Sequence, residues 1–252
     1  MTSVLVLGGG SELGVAIAQA LDPGVAVLAG RSPERFGATA VGRARVETVA
    51  FDADATDEHE AALDAAWAAA GGTVDVAVVA FGALGDEWPG AKDPDASVAL
   101  LRTNALGGGS ALRRLAARLE RQGSGSIVLL SSVAAERPRP ANYVYAAGKA
   151  ATDFLARGIA DATGVRVLVV RPGFVPTQMT AGRKAPPLSA TPSQVAEAAV
   201  DALRRGRGVV YVPRAMRALA LVVERMPAVD GMPAGILAAP PAFADDLRAV
   251  VG

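Results

Sequence analysis

Short, continuous apolar runs alternate with longer alanine-rich stretches along this chain, and this alternation constrains its fold more than any other feature. The apolar runs predict strands, which are Val4–Leu7, Val25–Ala29, Val46–Phe51, Val74–Ala80, Ser126–Ser131, Val165–Arg171 and Val209–Val212. The stretches between them predict helices, which are Ser11–Leu21, Asp57–Ala70, Ser97–Arg121, Tyr143–Thr163 and Ser193–Arg205. Strands without an alternating polar face are typical of parallel sheets that helices cover on both sides. The pattern therefore predicts an α/β protein with a doubly wound parallel sheet of about seven strands.

The alternation continues through 252 residues without a break in composition, which predicts a single domain. Residues 172–192 hold five prolines and show neither helical nor strand periodicity. A loop of this length inside a compact domain is typically part of a binding site, so we predict a substrate-binding loop there. Residues 213–252 are predicted to form a C-terminal helix and tail.

The composition excludes several kinds of chemistry. The chain has no cysteine, which rules out disulfides, a thiol nucleophile and cysteine-ligated metal clusters. Its one histidine, His59, cannot form a multi-histidine metal site and disfavours a Ser-His-Asp triad. The polar run Asp57–Glu60 around it predicts a solvated helix start. With 25 basic and 25 acidic side chains, the chain lacks the positive surplus of nucleic-acid-binding proteins. Serine, tyrosine, lysine, asparagine or a bound cofactor must therefore carry any chemistry, and we predict no metal.

Membrane insertion is not expected, although the chain is apolar on average. Hydrophobic residues make up 51% of it and the mean hydropathy is +0.32. No uninterrupted apolar stretch reaches the ~18 residues of a membrane span. The N-terminus lacks the basic region of a signal peptide, so we expect a cytoplasmic protein.

A basic segment near the C-terminus leaves three interpretations open. From Leu203 to Met226 the chain carries six arginines and one glutamate. On a helical wheel of Pro213–Met226 the charged residues fall within a sector of about 100°, which leaves a wide apolar face. Such a helix is suited to weak contact with a membrane surface, to covering the substrate cleft or to a subunit interface. The tail after Pro227 adds no basic anchor, which weakens the membrane interpretation.

A glycine-rich turn follows the first predicted strand and opens the first predicted helix. Its sequence is Gly8-Gly9-Gly10-Ser11-Glu12-Leu13-Gly14. Glycines allow the main chain to turn tightly and approach a pyrophosphate, whose charge the N–H groups at a helix N-terminus stabilise. The turn therefore predicts a dinucleotide site. Arg31 after the second strand favours NADP, because an arginine there can bind a 2′-phosphate. NAD stays an alternative, since Arg31 is equally suited to being a solvated surface charge.

Tyr145 and Lys149 are separated by one helical turn, so they lie on the same face of a helix. Tyrosine has an ordinary pKa of about 10. Because a neighbouring cation favours the phenolate, we expect Lys149 to lower the pKa of Tyr145 and to enable proton exchange near neutral pH. Tyr143 points about 200° away on the helix and is the weaker candidate.

Further motifs surround this pair in a fixed order. Ser131-Ser132 ends the fifth predicted strand, Asn104 lies in the preceding helix, and Arg171–Thr177 follows the sixth strand. With these motifs the chain resembles the short-chain dehydrogenase/reductase family over nearly its whole length. The resemblance implies a Rossmann-like fold with NAD(P) at the carboxyl ends of the strands and homo-oligomers built on long helices. It also implies a catalytic tetrad, which is Asn104, Ser132, Tyr145 and Lys149.

The resemblance implies a function for each of these residues. Tyr145 is expected to protonate a carbonyl oxygen as hydride arrives from the nicotinamide, and Ser132 to hydrogen-bond that oxygen. Lys149 is expected to hold the nicotinamide ribose, and Asn104 to hold a water that relays protons to Lys149. The implied cofactor contacts are Gly8, Gly10, Ser11, Glu12, Leu13, Gly14, Arg31, Asp52, Ala53, Ala80, Gly82, Tyr145, Lys149, Pro172, Gly173, Val175 and Thr177.

Two departures from the family pattern point to a narrower resemblance. Glu12 stands where the family usually has a glycine, and Val79–Gly82 stands where it has Asn-Asn-Ala-Gly. Four segments, Gly8–Gly14, Val74–Gly85, Ala141–Tyr145 and Arg171–Thr180, are together similar to the decaprenylphosphoryl-2-keto-β-D-erythro-pentose reductases. That resemblance implies reduction of a lipid-linked keto pentose to decaprenylphosphoryl arabinose for cell-wall arabinan, with a flavin-dependent oxidase as the partner that supplies the ketone. The alternatives are a ketoreductase for another small or natural-product ketone and a dinucleotide-binding regulator without turnover.

Overall fold

The computed structural model describes residues 2–85, 93–137, 139 and 141–218. Its strands are β1 (Ser3–Leu7), β2 (Val25–Gly30), β3 (Arg45–Ala50), β4 (Val76–Val79), β5 (Ser126–Leu130), β6 (Arg166–Pro172) and β7 (Val209–Val212). Its longer helices are α1 (Glu12–Leu21), α2 (His59–Ala69), α3 (Pro94–Leu101), α4 (Gly108–Gln122), α5 (Tyr143–Thr163) and α6 (Pro192–Arg204). Every predicted strand is present, with small differences at the ends.

The strands form one parallel sheet in the order β3-β2-β1-β4-β5-β6-β7. The chain builds outward from β1 in one direction through β2 and β3, and then returns to continue on the other side with β4. Such a reversal of strand order opens a crevice at the carboxyl ends of the strands, where α/β proteins bind ligands. The predicted doubly wound parallel sheet is confirmed.

Helices cover both faces of the sheet, and the alternation of side chains along β1 shows how. Leu5 and Leu7 belong to the core beneath α2, α4 and α5, whereas Val4 and Val6 belong to the core beneath α1 and α6. All four side chains are fully buried. Because both faces of the central strands are buried, the sequence shows continuous apolar runs and no polar alternation.

The predicted helix Ser97–Arg121 is interrupted in the structure. A wider, π-helical segment, Arg102–Gly107, separates α3 from α4. A Cβ atom on Gly107 would lie 2.2 Å from the carbonyl oxygen of Ala53, so the helix approaches the loop after β3 more closely than any other residue allows. We refer to residues 102–107 as the π segment.

The prediction for His59 was wrong. His59 does begin α2, but its side chain is only 1% exposed, whereas Asp57 and Glu58 before it are exposed. The first turn of α2 directs His59 inward, where Phe51 stacks on its ring with 4.5 Å between the ring centroids. The sequence prediction failed because it averaged polarity over the four residues Asp57–Glu60. Such an average does not distinguish the buried side of a helix from its exposed side.

The loop between β6 and α6 contains one short 3₁₀ turn, Gln178–Thr180. After β7 a helical segment begins at residue 215, and its Met216 is buried against Gly173 while Arg214 and Arg217 are exposed. The greater part of the predicted C-terminal helix and tail, residues 219–252, lies outside the described residues. Within the ranges given above, no helix is long and apolar enough to cross a membrane.

Candidate active site

The predicted site residues come together at the carboxyl edge of the sheet. Ser132 follows β5, Tyr145 and Lys149 lie in the first two turns of α5, and Asn104 lies in the π segment. The other predicted contacts lie at or just after the ends of β1, β2, β3, β4 and β6, and these are Gly8, Gly10, Ser11, Glu12, Leu13, Gly14, Arg31, Asp52, Ala53, Ala80, Gly82, Pro172, Gly173, Val175 and Thr177. The predicted catalytic and cofactor-binding residues therefore lie at or near the same edge of the sheet.

The Ser132 side chain lies beside the Tyr145 phenol and favours its ionised form. The Ser132 hydroxyl oxygen accepts a hydrogen bond from the N–H of Ala134 at 3.1 Å, which orients it at the start of a 3₁₀ turn. Burial raises the pKa of Tyr145, and the neighbouring Ser132 side chain acts in the opposite direction. The phenol therefore stays protonated at neutral pH and has a proton to donate.

Lys149 is buried, with 8% of its surface exposed, and its Nζ donates to the carbonyl oxygen of Leu130 at 2.8 Å. Burial lowers the pKa of Lys149 to about 8. An amine with this pKa gains and loses its proton close to neutral pH, as proton exchange requires. The structure differs from the expectation that Lys149 lowers the pKa of Tyr145, because burial desolvates both groups and raises the pKa of the tyrosine.

Asn104 is held by the main chain just after β4. Its Oδ1 accepts from the N–H of Ala83 at 2.9 Å, and its Nδ2 donates to the carbonyl oxygen of Ala83 at 2.7 Å. A Cβ atom on Gly82 would lie 3.2 Å from both Asn104 Oδ1 and Lys149 Nζ. A Cβ atom on Gly148 would lie 2.7 Å from the Asn104 Cβ, so that glycine lets α5 approach the π segment. These contacts bring Asn104 and Lys149 against the same turn.

The glycine-rich turn has the geometry of a phosphate cradle. Gly8 has a φ of +96°, and a Cβ atom on it would lie 2.6 Å from the main-chain nitrogen of Phe81, so only glycine fits there. Ser11 caps α1 by accepting a hydrogen bond from the N–H of Gly14 at 3.2 Å. The first turn of a helix has N–H groups without partners inside the helix, and α1 offers these to an anion at the carboxyl end of β1.

Glu12 connects two of the predicted cofactor loops. Its Oε2 accepts a hydrogen bond from the N–H of Gln178 at 3.2 Å. Gln178 belongs to the 3₁₀ turn after β6, one residue beyond Thr177. The glutamate that departs from the family's glycine pattern thus joins the glycine-rich turn to the predicted substrate-binding loop.

A cavity of about 330 Å³ lies at the carboxyl ends of β2 and β3. It is lined by Arg31, Ala50, Phe51, Asp52, Glu58, His59, Ala61 and Ala62. An exposed guanidinium at the rim and apolar walls inside suit a phosphate joined to a flat heterocycle. Sequence reasoning nominates Arg31 and Asp52 but misses Phe51 and His59. The available signal for Phe51 is its position at the end of the third apolar run.

An ion-pair network lies behind Ser132 and was not predicted. The Arg171 guanidinium donates to both carboxylate oxygens of Asp153 at 2.8 and 2.7 Å, and it also pairs with Glu136. Ser131 donates to Asp153 at 2.8 Å, and Arg171 Nη1 donates to the Tyr211 hydroxyl at 2.6 Å. Burial opposes ionisation of Asp153, but the Arg171 guanidinium holds the pKa of that carboxyl below its usual value. The network fastens β5, β6, β7 and α5 together beside the site.

Comparisons with known proteins give the chain its relatives. Residues 2–187 match the family model described as short chain dehydrogenase. An uncharacterized oxidoreductase of Mycobacterium tuberculosis is 41% identical over 233 residues, which cover 89% of this chain and 93% of that protein. An uncharacterized oxidoreductase of Streptomyces coelicolor is 41% identical over 236 residues, which cover 89% of this chain and 92% of that protein.

The fold has a close counterpart among solved structures. A short chain dehydrogenase from Burkholderia cenocepacia, solved in complex with NADP, matches with a TM-score of 0.75 at 22% identity, covering 98% of this chain and 97% of that one. The family model spans most of the chain, and two relatives match at 41% identity. This chain therefore belongs to the short-chain dehydrogenase family.

Proposed function

We propose that this chain is an NAD(P)H-dependent carbonyl reductase in which Tyr145 is the proton donor. The observation that carries the proposal is the placement of Ser132 beside the Tyr145 phenol, at the strand edge that also holds the buried amine of Lys149. Family membership and the oxidoreductase names of the relatives support the enzyme class. The NADP in the Burkholderia structure supports the cofactor.

The residues present fit a nicotinamide dinucleotide. The first turn of α1 would hold the pyrophosphate, and the cavity beside Arg31 and Phe51 would hold the adenosine half. Arg31 favours NADP over NAD, because its exposed guanidinium can pair with a 2′-phosphate. When bound, the cofactor supplies the hydride.

The protein's own contribution is to place and move a proton. The Tyr145 hydroxyl gives its proton to the carbonyl oxygen of the substrate, while the Ser132 hydroxyl donates a hydrogen bond to that oxygen and polarises the carbonyl. Lys149, with a pKa of about 8, is the group that returns a proton to Tyr145. The Asn104 Oδ1, which has a second lone pair beside Lys149, is the proposed site of the relaying water.

For the substrate we propose a lipid-linked keto pentose, and the sequence resemblance to the decaprenylphosphoryl-keto-pentose reductases supports it. The loop after β6 exposes the apolar side chains of Met179 and Leu188, which suit an isoprenoid chain. Arg214 and Arg217 are exposed where weak contact with an anionic membrane surface is proposed. A cytoplasmic enzyme supplied by a flavin-dependent oxidase, serving cell-wall arabinan, follows from this proposal. A ketoreductase for another small ketone would use the same catalytic residues.

We also propose that the chain forms a homo-oligomer through the face that combines α3, the π segment and α5. Three large apolar side chains on this face are more than half exposed, and they are Val98, Leu106 and Phe154. Exposed apolar groups on neighbouring elements are typical of protein–protein interfaces. Size-exclusion chromatography with light scattering measures the assembly directly.

The test is NADPH and NADH oxidation with a polyprenylphosphoryl keto pentose generated in situ by the flavin oxidase, beside a panel of small ketones. Turnover of the keto lipid to the arabinose epimer supports both the reaction and the substrate. Turnover of small ketones alone supports the reaction and overturns the lipid substrate. If the chain binds neither cofactor, the reductase proposal is wrong.

A further inference from the structure

We propose that His59 is a positioning residue for the adenosine half of the dinucleotide, an inference that rests on the proposed function. His59 is the chain's one histidine, and the mechanism above does not use it. It lies in the wall of the 330 Å³ cavity beside Phe51 and Asp52, and it is fully enclosed by protein. His59 would affect ligand binding indirectly, because it holds the main chain of Asp52 in place.

Each ring nitrogen of His59 has a defined partner. Nε2 lies 2.9 Å from the carbonyl oxygen of Asp52, and because a carbonyl only accepts, Nε2 carries the proton. Nδ1 is therefore the acceptor, and the Ser110 hydroxyl donates to it at 3.0 Å. The Arg114 Nε donates to the Ser110 oxygen at 3.3 Å, which leaves the serine proton for the histidine. The ring is a neutral connector between α4 and the loop after β3.

The same loop is held from its other side by the π segment. Gly107 allows the helix to approach the Ala53 carbonyl, as described above, and the Thr103 hydroxyl donates to Asp54 Oδ1 at 2.7 Å. Residues 52–54 are thus clamped between α2 and the segment that carries Asn104. His59 supplies the polar contact from the α2 side, so its loss would release the main chain that lines the cavity.

Aromatic contacts extend the support given by His59 across the cavity wall. The Phe51 ring that stacks on His59 also contacts Phe81, with 5.6 Å between the centroids. Phe81 follows β4, beside Gly82. A substitution that keeps an aromatic ring at position 59 would preserve this packing and remove only the two hydrogen bonds.

The test measures cofactor binding and needs no substrate. NADPH affinity is measured by fluorescence titration, and AMP affinity by displacement of NADPH. We expect His59→Phe to weaken both by about the same factor, roughly tenfold, because the buried ring loses both of its hydrogen bonds at the adenosine end. His59→Gln, whose side-chain amide can donate to the Asp52 carbonyl, should recover affinity to within about threefold of wild type.

Trp67→Phe is the matched control. Trp67 lies on the same helix, and its Nε1 donates to Gln122 Oε1 at 3.1 Å, away from the cavity. This variant also loses one half-buried hydrogen bond of α2, so a purely structural effect would appear in it as well. We expect wild-type affinity for NADPH and AMP.

The wild-type titration separates the two proposals. If wild type binds neither NADPH nor NADH, the proposed function fails and the inference fails with it. If wild type binds and folded His59→Phe retains wild-type AMP affinity, the inference alone is overturned. If His59→Phe does not fold, Ser110→Ala decides: removal of the donor to Nδ1 should weaken AMP binding about threefold, and unchanged affinity overturns the inference.

Discussion

The two ends of the proposed dinucleotide site are built in different ways. At the catalytic end, the proposed chemistry depends on particular side chains, which are Asn104, Ser132, Tyr145 and Lys149. At the adenosine end, residues of the loop after β3 contribute to the cavity wall, and this loop is held in place by His59, Thr103 and Gly107, which belong to no motif. Proton transfer requires specific functional groups, whereas a binding wall requires only a shape that many residue types can support. Sequence motifs therefore identify the residues of the catalytic end more completely than those of the adenosine end.

The largest expected effect is a loss of turnover in a variant of the catalytic end. Tyr145→Phe removes the proposed proton donor and should lower turnover by about 10²–10⁴-fold, because general acid catalysis contributes on that order. Steady-state NADPH oxidation with any ketone that the wild type accepts measures it. Tyr143→Phe is the control, since this tyrosine lies two residues earlier on the same helix and is 42% exposed. Equal activity of the two variants would contradict the assignment of the proton donor.

The ion-pair network should support the catalytic end alone. Asp153→Ala leaves the buried Arg171 guanidinium with fewer partners and should lower the free energy of unfolding by about 3 kcal/mol. Urea denaturation measures this loss, and turnover should fall while AMP affinity is kept. In Asp201→Ala, which removes a solvent-exposed ion pair with Arg205, we expect no measurable change in stability. A parallel loss of AMP affinity in Asp153→Ala would show that the two ends are not separate.

Two glycine substitutions test whether the contact between the π segment and the loop after β3 supports the adenosine end. Gly107→Ala forces a Cβ atom against the Ala53 carbonyl and should cost about 2 kcal/mol of unfolding free energy, with weaker AMP binding. Gly158→Ala is the matched change, because a Cβ atom there meets nothing within 4 Å on a helix. It should leave AMP affinity unchanged and raise stability slightly. If both variants bind AMP as wild type does, the close approach of the π segment is not needed for the cavity.

Acid should lower the free energy of unfolding through protonation of His59. Burial lowers the pKa of His59 below its usual 6.5, so the folded chain favours the neutral ring. As the pH falls below 6.5 the unfolded chain takes up the proton first, and the free energy of unfolding decreases. Above that pH both states are neutral and His59 adds no pH dependence. Urea denaturation of wild type and His59→Phe should therefore show a stability difference that is constant well above pH 6.5 and shrinks as the pH falls below that value. A difference that grows in acid would contradict the neutral tautomer.

The fold was predictable because burial of both sheet faces leaves its mark in every central strand, as the runs at Val4–Leu7 and Val76–Val79 show. The catalytic candidates could be predicted from the sequence because Tyr145 and Lys149 are one helical turn apart. The π segment was not predictable, since a change from α-helical to π-helical geometry within one continuous helical stretch has no signature in residue type. The network around Arg171 joins residues as distant in sequence as Glu136 and Tyr211, and no local pattern reports such pairings.

The most direct test of the separation between the two ends is one NADPH titration carried out side by side on wild type, Tyr145→Phe and His59→Phe. We predict wild-type affinity for Tyr145→Phe and about tenfold weaker binding for His59→Phe. Weakened binding in Tyr145→Phe together with wild-type binding in His59→Phe would contradict it.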